Sequence, residues 1–293
     1  MIIVQLIGGL GNQMFQYAFA RSLSLKRNIV FKLDITGFEK YKLHKYSLNK
    51  LNIIENIATT NDLKKIKTGE KSILSKLLSF DRIKPYFKRT MILEKYPSIF
   101  DRNITHFKDN SYFKGYWQNE KYFDEIKDLL LDEFTVKNPL HDKNNEIAEK
   151  ITNCNSVSIH LRRGDYVNDP IAQKILGTCT IDYYKKGIEY ILARVEKPHL
   201  FIFSDDIDWA KYNINFLATT TFVDHNSSET NYEDLRLMYL CKHNIIANSS
   251  FSWWGAWLNR NKSKIIVAPQ NWYKNEELNS NSNDLIPNNW IKI

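Results

Sequence analysis

The chain has little cysteine, no long apolar run and no nucleic-acid-binding signature, and each absence narrows its chemistry. Its three cysteines, Cys154, Cys179 and Cys241, are odd in number, far apart and never in a CxxC pair. A disulfide framework or a zinc site is therefore not expected, and reduced thiols in a cytoplasmic setting are. No stretch reaches the roughly 20 apolar residues that span a bilayer. The start, Met1-Ile2-Ile3-Val4-Gln5-Leu6-Ile7 before Gly8-Gly9, lacks the basic segment of a secretory signal. It reads as the first strand of a soluble protein. Helix-turn-helix, zinc-finger and RNA-binding motifs are missing, which argues against nucleic acid as a partner. Internal repeats are missing too.

What is present supports a sizeable core. The 293 residues are 43% hydrophobic and 13% aromatic, enough for two α/β domains of ordinary size or one large one. The net charge of +8 is unevenly placed: residues 21–95 carry 18 lysines and arginines against 7 acidic residues, a local excess of +11. Such a stretch is either a solvated basic surface or an attraction to an anionic membrane face or anionic acceptor.

Apolar periodicity organises the rest. Residues 2–7 read as a buried strand, 12–26 as a helix and 29–34 as a second strand, a strand–glycine turn–helix–strand unit. Residues 36–110 are lysine-rich and irregular, with helical patches around 61–79. Helices are expected at 120–133 and 142–151, around Pro139, with a domain boundary near 138–155. Beyond it strands (156–162, 200–203, 221–223, 244–247, 264–268) alternate with helices (181–195, 206–212, 229–241 and one from Ser252). That rhythm predicts an α/β fold with parallel sheets covered on both faces.

Four motifs sit where such strands end. Gly8-Gly9-Leu10-Gly11-Asn12-Gln13 follows a strand and opens a helix, so backbone can approach a ligand closely and helix N–H groups can face an anion or sugar. It is not a dinucleotide fingerprint, because Met14 stands where the third glycine would be. A tight turn is the plainer reading, and Asn12 could cap the helix, touch a ligand, or both. His160-Leu161-Arg162-Arg163-Gly164-Asp165-Tyr166 delivers fixed positive charge to a sheet edge, and strand alternation puts His160 and Arg162 on one face. Arg162 offers an anion a planar fork. The motif reads as a diphosphate site, or as a surface ion-pair network in which Arg162 or Arg163 meets Asp165.

Ser204-Asp205-Asp206 also follows a strand, and its carboxylates could read the N–H groups of a purine. Asp206-Ile207-Asp208 has a metal-binding spacing, but Asp206 looks like the start of a helix, where acidic residues cap. Asn248-Ser249-Ser250-Phe251-Ser252-Trp253-Trp254-Gly255 places hydroxyls and amides between a strand and a helix, where they can donate to phosphate oxygens. Trp253 and Trp254 read as core.

Together these stretches, with Gly115-Tyr116-Trp117-Gln118 and Phe203-Ser204-Asp205-Asp206, resemble the family-11 glycosyltransferases, the α-1,2-fucosyltransferases, in their bacterial form. The resemblance covers nearly the whole chain and constrains 60–110 least. It implies a GT-B-like fold, two Rossmann-like halves with parallel sheets facing a cleft: an acceptor-side N-terminal domain (1–150) and a GDP-sugar-binding C-terminal domain (151–293). It implies inverting transfer of L-fucose from GDP-β-L-fucose to the 2-hydroxyl of a terminal galactose without a metal or other cofactor. The acceptor would be a surface polysaccharide, lipid-linked at the cytoplasmic membrane face, where the basic N-terminal half could dock. With no metal, Arg162 and helix-terminal N–H groups would neutralise the charge that builds on the leaving GDP, one such preorganised group contributing about 2.7–4 kcal/mol.

The candidate catalytic residues are thus Arg162, Asp165 and Asn12. Those for the sugar nucleotide are Gly9, Gly11, His160, Arg162, Asp205, Asn248, Ser249, Ser250 and Phe251. His160 and Asp205 are expected near guanosine, with Asp205 on the base. Asp165 is either the base that takes the acceptor proton or the residue that orients an arginine. A transferase for another GDP-sugar, and an inactive glycan- or nucleotide-binding homologue, stand as alternatives.

Overall fold

The computed structural model describes residues 1–40, 43–67, 85–214, 216 and 218–293. The chain divides into two units, Met1–Glu133 and Phe134–Ile293.

In the first unit, β1 (Ile2–Gln5), β2 (Phe31–Asp34), β3 (Met91–Leu93) and β4 (Ser111–Lys114) form a parallel sheet in the order β2-β1-β4-β3. Helix α1 (Leu10–Arg27) is buried over most of its circumference. It packs on one face through Phe19, edge-on to Phe113 at 5.4 Å. Tyr112, the residue before it on β4, points the other way and joins Ile3, Leu63 and Ile66, the last two from α2 (Thr60–Lys67). The rest of the helical patch expected at 61–79 lies outside the described residues. The helix expected over 120–133 is shorter. Asn119 accepts from the Lys121 N–H and opens a 3₁₀ turn at Glu120–Tyr122, and a second follows at Asp124–Ile126. Fully buried Phe123 between them, at φ −143°, interrupts helical geometry, so α3 spans only Lys127–Glu133.

The second unit holds six parallel strands in the order β10-β9-β8-β5-β6-β7. They are β5 (Asn155–Leu161), β6 (Pro198–Ser204), β7 (Thr219–Val223), β8 (His243–Ile245), β9 (Ile266–Ala268) and β10 (Ile291–Lys292). Six of the seven residues of β5 are buried, as a central parallel strand requires. One face carries α4 (Asp142–Thr152) and α9 (Asn231–Leu240), whose Ile147, Ile151, Leu237 and Met238 pack with Phe201 and Phe203. The other carries α7 (Ile181–Leu192) and α8 (Ile207–Asn213), with Tyr184, Ile188 and Ala210 against Val157, Ile159 and Ile202. The division expected at 150/151 falls at 133/134, because α4 buries its apolar side on β6 and so belongs to the second sheet. Two short helices follow β5, α5 (Gly164–Asn168) and α6 (Pro170–Ile175), and α10 (Ser250–Trp257) follows β8.

Candidate active site

Parallel α/β sheets bind ligands outside the carboxyl ends of their strands, where the strand order reverses. In the second unit the chain moves outward from β5 through β6 to β7, then restarts on the other side of β5 with β8. The reversal lies between β5 and β8. His160 to Gly164 run from the end of β5 into α5, and Asn248 to Phe251 connect β8 to α10, so two motifs at least 84 positions apart in sequence flank one crevice. The His160 and Phe251 rings meet at 5.6 Å.

Arg162 is held from both sides. Its Nη1 lies 2.9 Å from Asp205 Oδ2, and its Nη2 pairs with Asp165 Oδ1 at 2.7 Å. Asp205 Oδ1 also accepts from the Arg163 backbone N–H at 2.8 Å. The ion-pair reading of this motif is therefore realised, and both oxygens of Asp205 are engaged by the chain itself. Gly164 makes the clamp possible: a Cβ there would lie 2.6 Å from Asp205 Oδ2. Arg163 turns away, its Nε 3.1 Å from Asp206 Oδ2 and its guanidinium carbon 3.7 Å from the centre of the Trp209 ring. These two arginines and three aspartates sum to −1, so net charge does not draw an anion to this rim. Oriented N–H groups must do so, and only part of the five-donor fork of Arg162 is committed.

His160 is almost fully buried, and its Nδ1 has no hydrogen-bond partner. Burial holds the imidazole neutral, its pKa lowered to about 4; Asp205 opposes that shift and Arg162 adds to it. A neutral imidazole at the crevice can accept or donate one hydrogen bond. Asp206 caps α8, accepting from the Trp209 N–H at 3.3 Å, as its position after a strand suggested. Among the described residues no group of three His, Cys, Asp or Glu is placed to hold a metal ion.

The Asn248 side chain ties loops together, its Nδ2 donating to the carbonyls of Leu176, Gly177 and Trp272 at 3.1 Å each. Ser249 caps α10 through a 3.4 Å contact from the Phe251 N–H. Ser250 begins the helix. Trp253 and Trp254 are fully buried, Trp253 donating to the Leu285 carbonyl at 2.9 Å. A cavity of about 920 Å³ reaches this region at Tyr166 and Asn248 and continues past Thr178, Thr180 and Gln270. Of the residues expected from sequence to meet the sugar nucleotide, only Asn248 lines it. The hydroxyls and amides beyond Asn248 carried no sequence signal, since they belong to separate loops.

In the first unit the strand order reverses between β1 and β4. Gly8 has φ +79°, and a Cβ there would lie 2.5 Å from Asn12 Nδ2. Gly9 is the N-cap of α1, and Asn12 does not cap that helix; its Oδ1 accepts from Gln118 Nε2 at 2.8 Å, joining the loops after β1 and β4. Gly11 is buried in the first turn. Gln16 makes a second bridge, accepting from the Ile7 N–H and donating to the Gly115 carbonyl, both at 3.0 Å. Past β3, Glu94 accepts from the Tyr116 and Trp117 N–H groups at 2.7 and 3.0 Å and so holds Trp117 at φ +57°. Burial pushes Glu94 up to about 7 against those two hydrogen bonds. Sequence reading missed Glu94, because the short strand before it sits in a lysine-rich stretch with no clear period.

Two parallel α/β units with polar loops at their order reversals make up the GT-B architecture of sugar transferases. The NodZ alpha-1,6-fucosyltransferase of Bradyrhizobium, co-crystallised with GDP, shares that fold at a TM-score of 0.51 and 10% identity, over 87% of this chain and 91% of that one. The chain is a glycosyltransferase: it belongs to glycosyl transferase family 11, which it matches over residues 1–293. It is 39% identical to an Escherichia coli alpha-1,2-colitosyltransferase over 100% of this chain and 98% of that protein. It is 33% identical to the E. coli O-antigen biosynthesis glycosyltransferase WbnK, over 98% and 99%.

Proposed function

We propose that this protein is an inverting, metal-independent transferase that moves L-fucose from GDP-β-L-fucose to the 2-hydroxyl of a terminal galactose in a surface polysaccharide. The observation that carries this reading is the fixed Arg162 at one side of the β5/β8 crevice, with the Ser249–Phe251 helix start at the other. Breaking the sugar–phosphate bond leaves charge on the departing GDP. Arg162, oriented by Asp165 and Asp205, and the N–H groups at the start of α10 stabilise that charge where it develops. Asp165 thereby serves as a positioning residue. His160, neutral and with Nδ1 unsatisfied, contributes a hydrogen bond to the nucleoside. The first unit, with Gly9, Gly11 and Asn12 at its own order reversal, serves the acceptor.

A second reading of the transferred sugar is supported by the 39% identity to a colitosyltransferase. Colitose is L-fucose without its 3-hydroxyl, so a few contacts around one hydroxyl separate the two. Kinship with an O-antigen enzyme supports a polysaccharide acceptor, which we place at the cytoplasmic face of the membrane. Among the described residues no helix is long and apolar enough to cross a membrane, and the basic 21–95 stretch would supply peripheral contact with anionic lipid.

The test is turnover with GDP-fucose, GDP-colitose, GDP-mannose and UDP-galactose on a panel of galactosides, in EDTA, with the product linkage read by NMR. Transfer of fucose or colitose to O2 of galactose is expected. Preference for GDP-mannose or UDP-galactose, or activity that vanishes in EDTA and returns with manganese, defeats the proposal.

A further inference from the structure

The first unit contains its own cavity, of about 390 Å³, at the carboxyl ends of β3 and β4. That is within the ~300–1,000 Å³ range of small-molecule sites. The rings of Tyr96, Phe100, Trp117 and Tyr122 line it together with Glu94. Trp117 is buried, one face stacked on Phe19 with the ring centres 4.2 Å apart, and its indole Nε1–H has no hydrogen-bond partner. A buried N–H left unpaired carries an energetic penalty that a ligand oxygen would relieve. The indole edge bearing it and the Glu94 carboxylate both face Gly115: a Cβ built there would be 2.8 Å from Glu94 Oε2 and 3.0 Å from Trp117 Cε2, the ring carbon bonded to Nε1. Each Glu94 oxygen accepts one backbone N–H and keeps a lone pair for a second donor.

We infer that this cavity is a saccharide subsite, in which the Trp117 indole N–H donates to one hydroxyl of a pyranose and the Glu94 carboxylate accepts from a neighbouring one. The inference rests on the glycosyltransferase reading above and assigns the place where the acceptor sugar is held. A hydroxyl can accept and donate, so adjacent sugar hydroxyls match a donor and an acceptor set side by side. Tyr96 and Phe100 supply apolar ring surface for the C–H face of the sugar. Lys95, Asp101 and Arg102 also line the cavity, at positions where further sugar hydroxyls can be bonded.

The test is saturation-transfer-difference NMR and fluorescence titration of the full-length chain with lactose and methyl β-D-galactoside. In Trp117→Phe, which keeps the ring and deletes the N–H, the dissociation constant should rise about five- to tenfold, the range of one lost hydrogen bond. Tyr96→Ala should weaken binding about two- to fivefold, and that exposed side chain can be removed without disturbing the core. Unchanged affinity in Tyr96→Ala and in a folded Trp117→Phe, or no saturation transfer to either galactoside with the unmodified chain, overturns the assignment. Hydrolysis of GDP-fucose or GDP-colitose by the unmodified chain reports separately on the transferase reading. Galactoside binding without any sugar-nucleotide turnover would refute that reading and leave the subsite standing.

Discussion

Replacing Arg162 by alanine separates its chemical role from its structural one. Each of its two ion pairs joins side chains that remain about a quarter exposed, at 24% and 23% for Asp165 and 24% and 26% for Asp205. Partly buried pairs of this kind fall at or above the upper end of the ~0–1 kcal/mol range of surface pairs, so the substitution should destabilise the second unit by about 2 kcal/mol. At ~2–4 °C per kcal/mol for a unit of this size, the melting temperature should fall by no more than ~8 °C. The catalytic loss should be much larger. One preorganised donor removed from a developing anion costs about 10²–10³ in turnover, and a full guanidinium charge belongs at the upper end. Arg162→Lys should recover only part of that, because one ammonium cannot reproduce a fork held between two carboxylates. GDP release with saturating sugar nucleotide, measured beside differential scanning calorimetry, reads both quantities. If Arg162→Ala turns over within about threefold of the unmodified chain, a barrier change of only ~0.7 kcal/mol, the assignment of the crevice as the diphosphate site is wrong.

Gly164→Ala would place a methyl group against Asp205 Oδ2 and force the clamp open. A stability loss of about 1–3 kcal/mol is expected, together with reduced turnover, and urea unfolding with unaltered midpoint would contradict it. Glu94→Gln should change how stability depends on pH. Because the folded pKa of Glu94 lies near 7, above the unfolded value, its protonated form supports the fold, and that support is lost as pH rises from about 4.5 through 7. The glutamine variant should therefore gain on the unmodified chain between pH 5 and 7 and hold a constant difference above about pH 8. Parallel stability curves for the two proteins would exclude a burial-shifted Glu94.

Much of the second unit was legible in the chain because its evidence is local. Hydrophobic runs of four to seven residues alternating with helical spacing at 156–268 give the order of strands, and parallel strands of that kind are buried throughout. The cap at Asp206 was legible for the same reason, since a cap bonds two or three residues ahead, whereas the helix expected from Ser252 starts at Ser250 with Ser249 as its cap. The first unit was harder. Strands β3 and β4 are three and four residues long and lie in or just after a lysine-rich stretch, too short for a period to register. Gln13 and Gln16 look like polar interruptions in an apolar helix, yet Gln16 ties the loops after β1 and β4, and Gln13 holds Gly8, Lys45 and Ser47.

By itself the sequence determined which segments become strands and helices in the second unit. It also determined that glycine, arginine and serine motifs fall where strands end, because such preferences act within a few residues. The tertiary structure alone decided their partners. Asp205 meets Arg162 because β5 and β6 are neighbours, and the residues after β5 and β8 share a crevice because the strand order reverses there. Glu94 stands beside Trp117 because β3 pairs with β4, and α4 joins the second unit because its apolar side fits β6. Those contacts depend on which distant segments pack together, and no window of neighbouring residues encodes that.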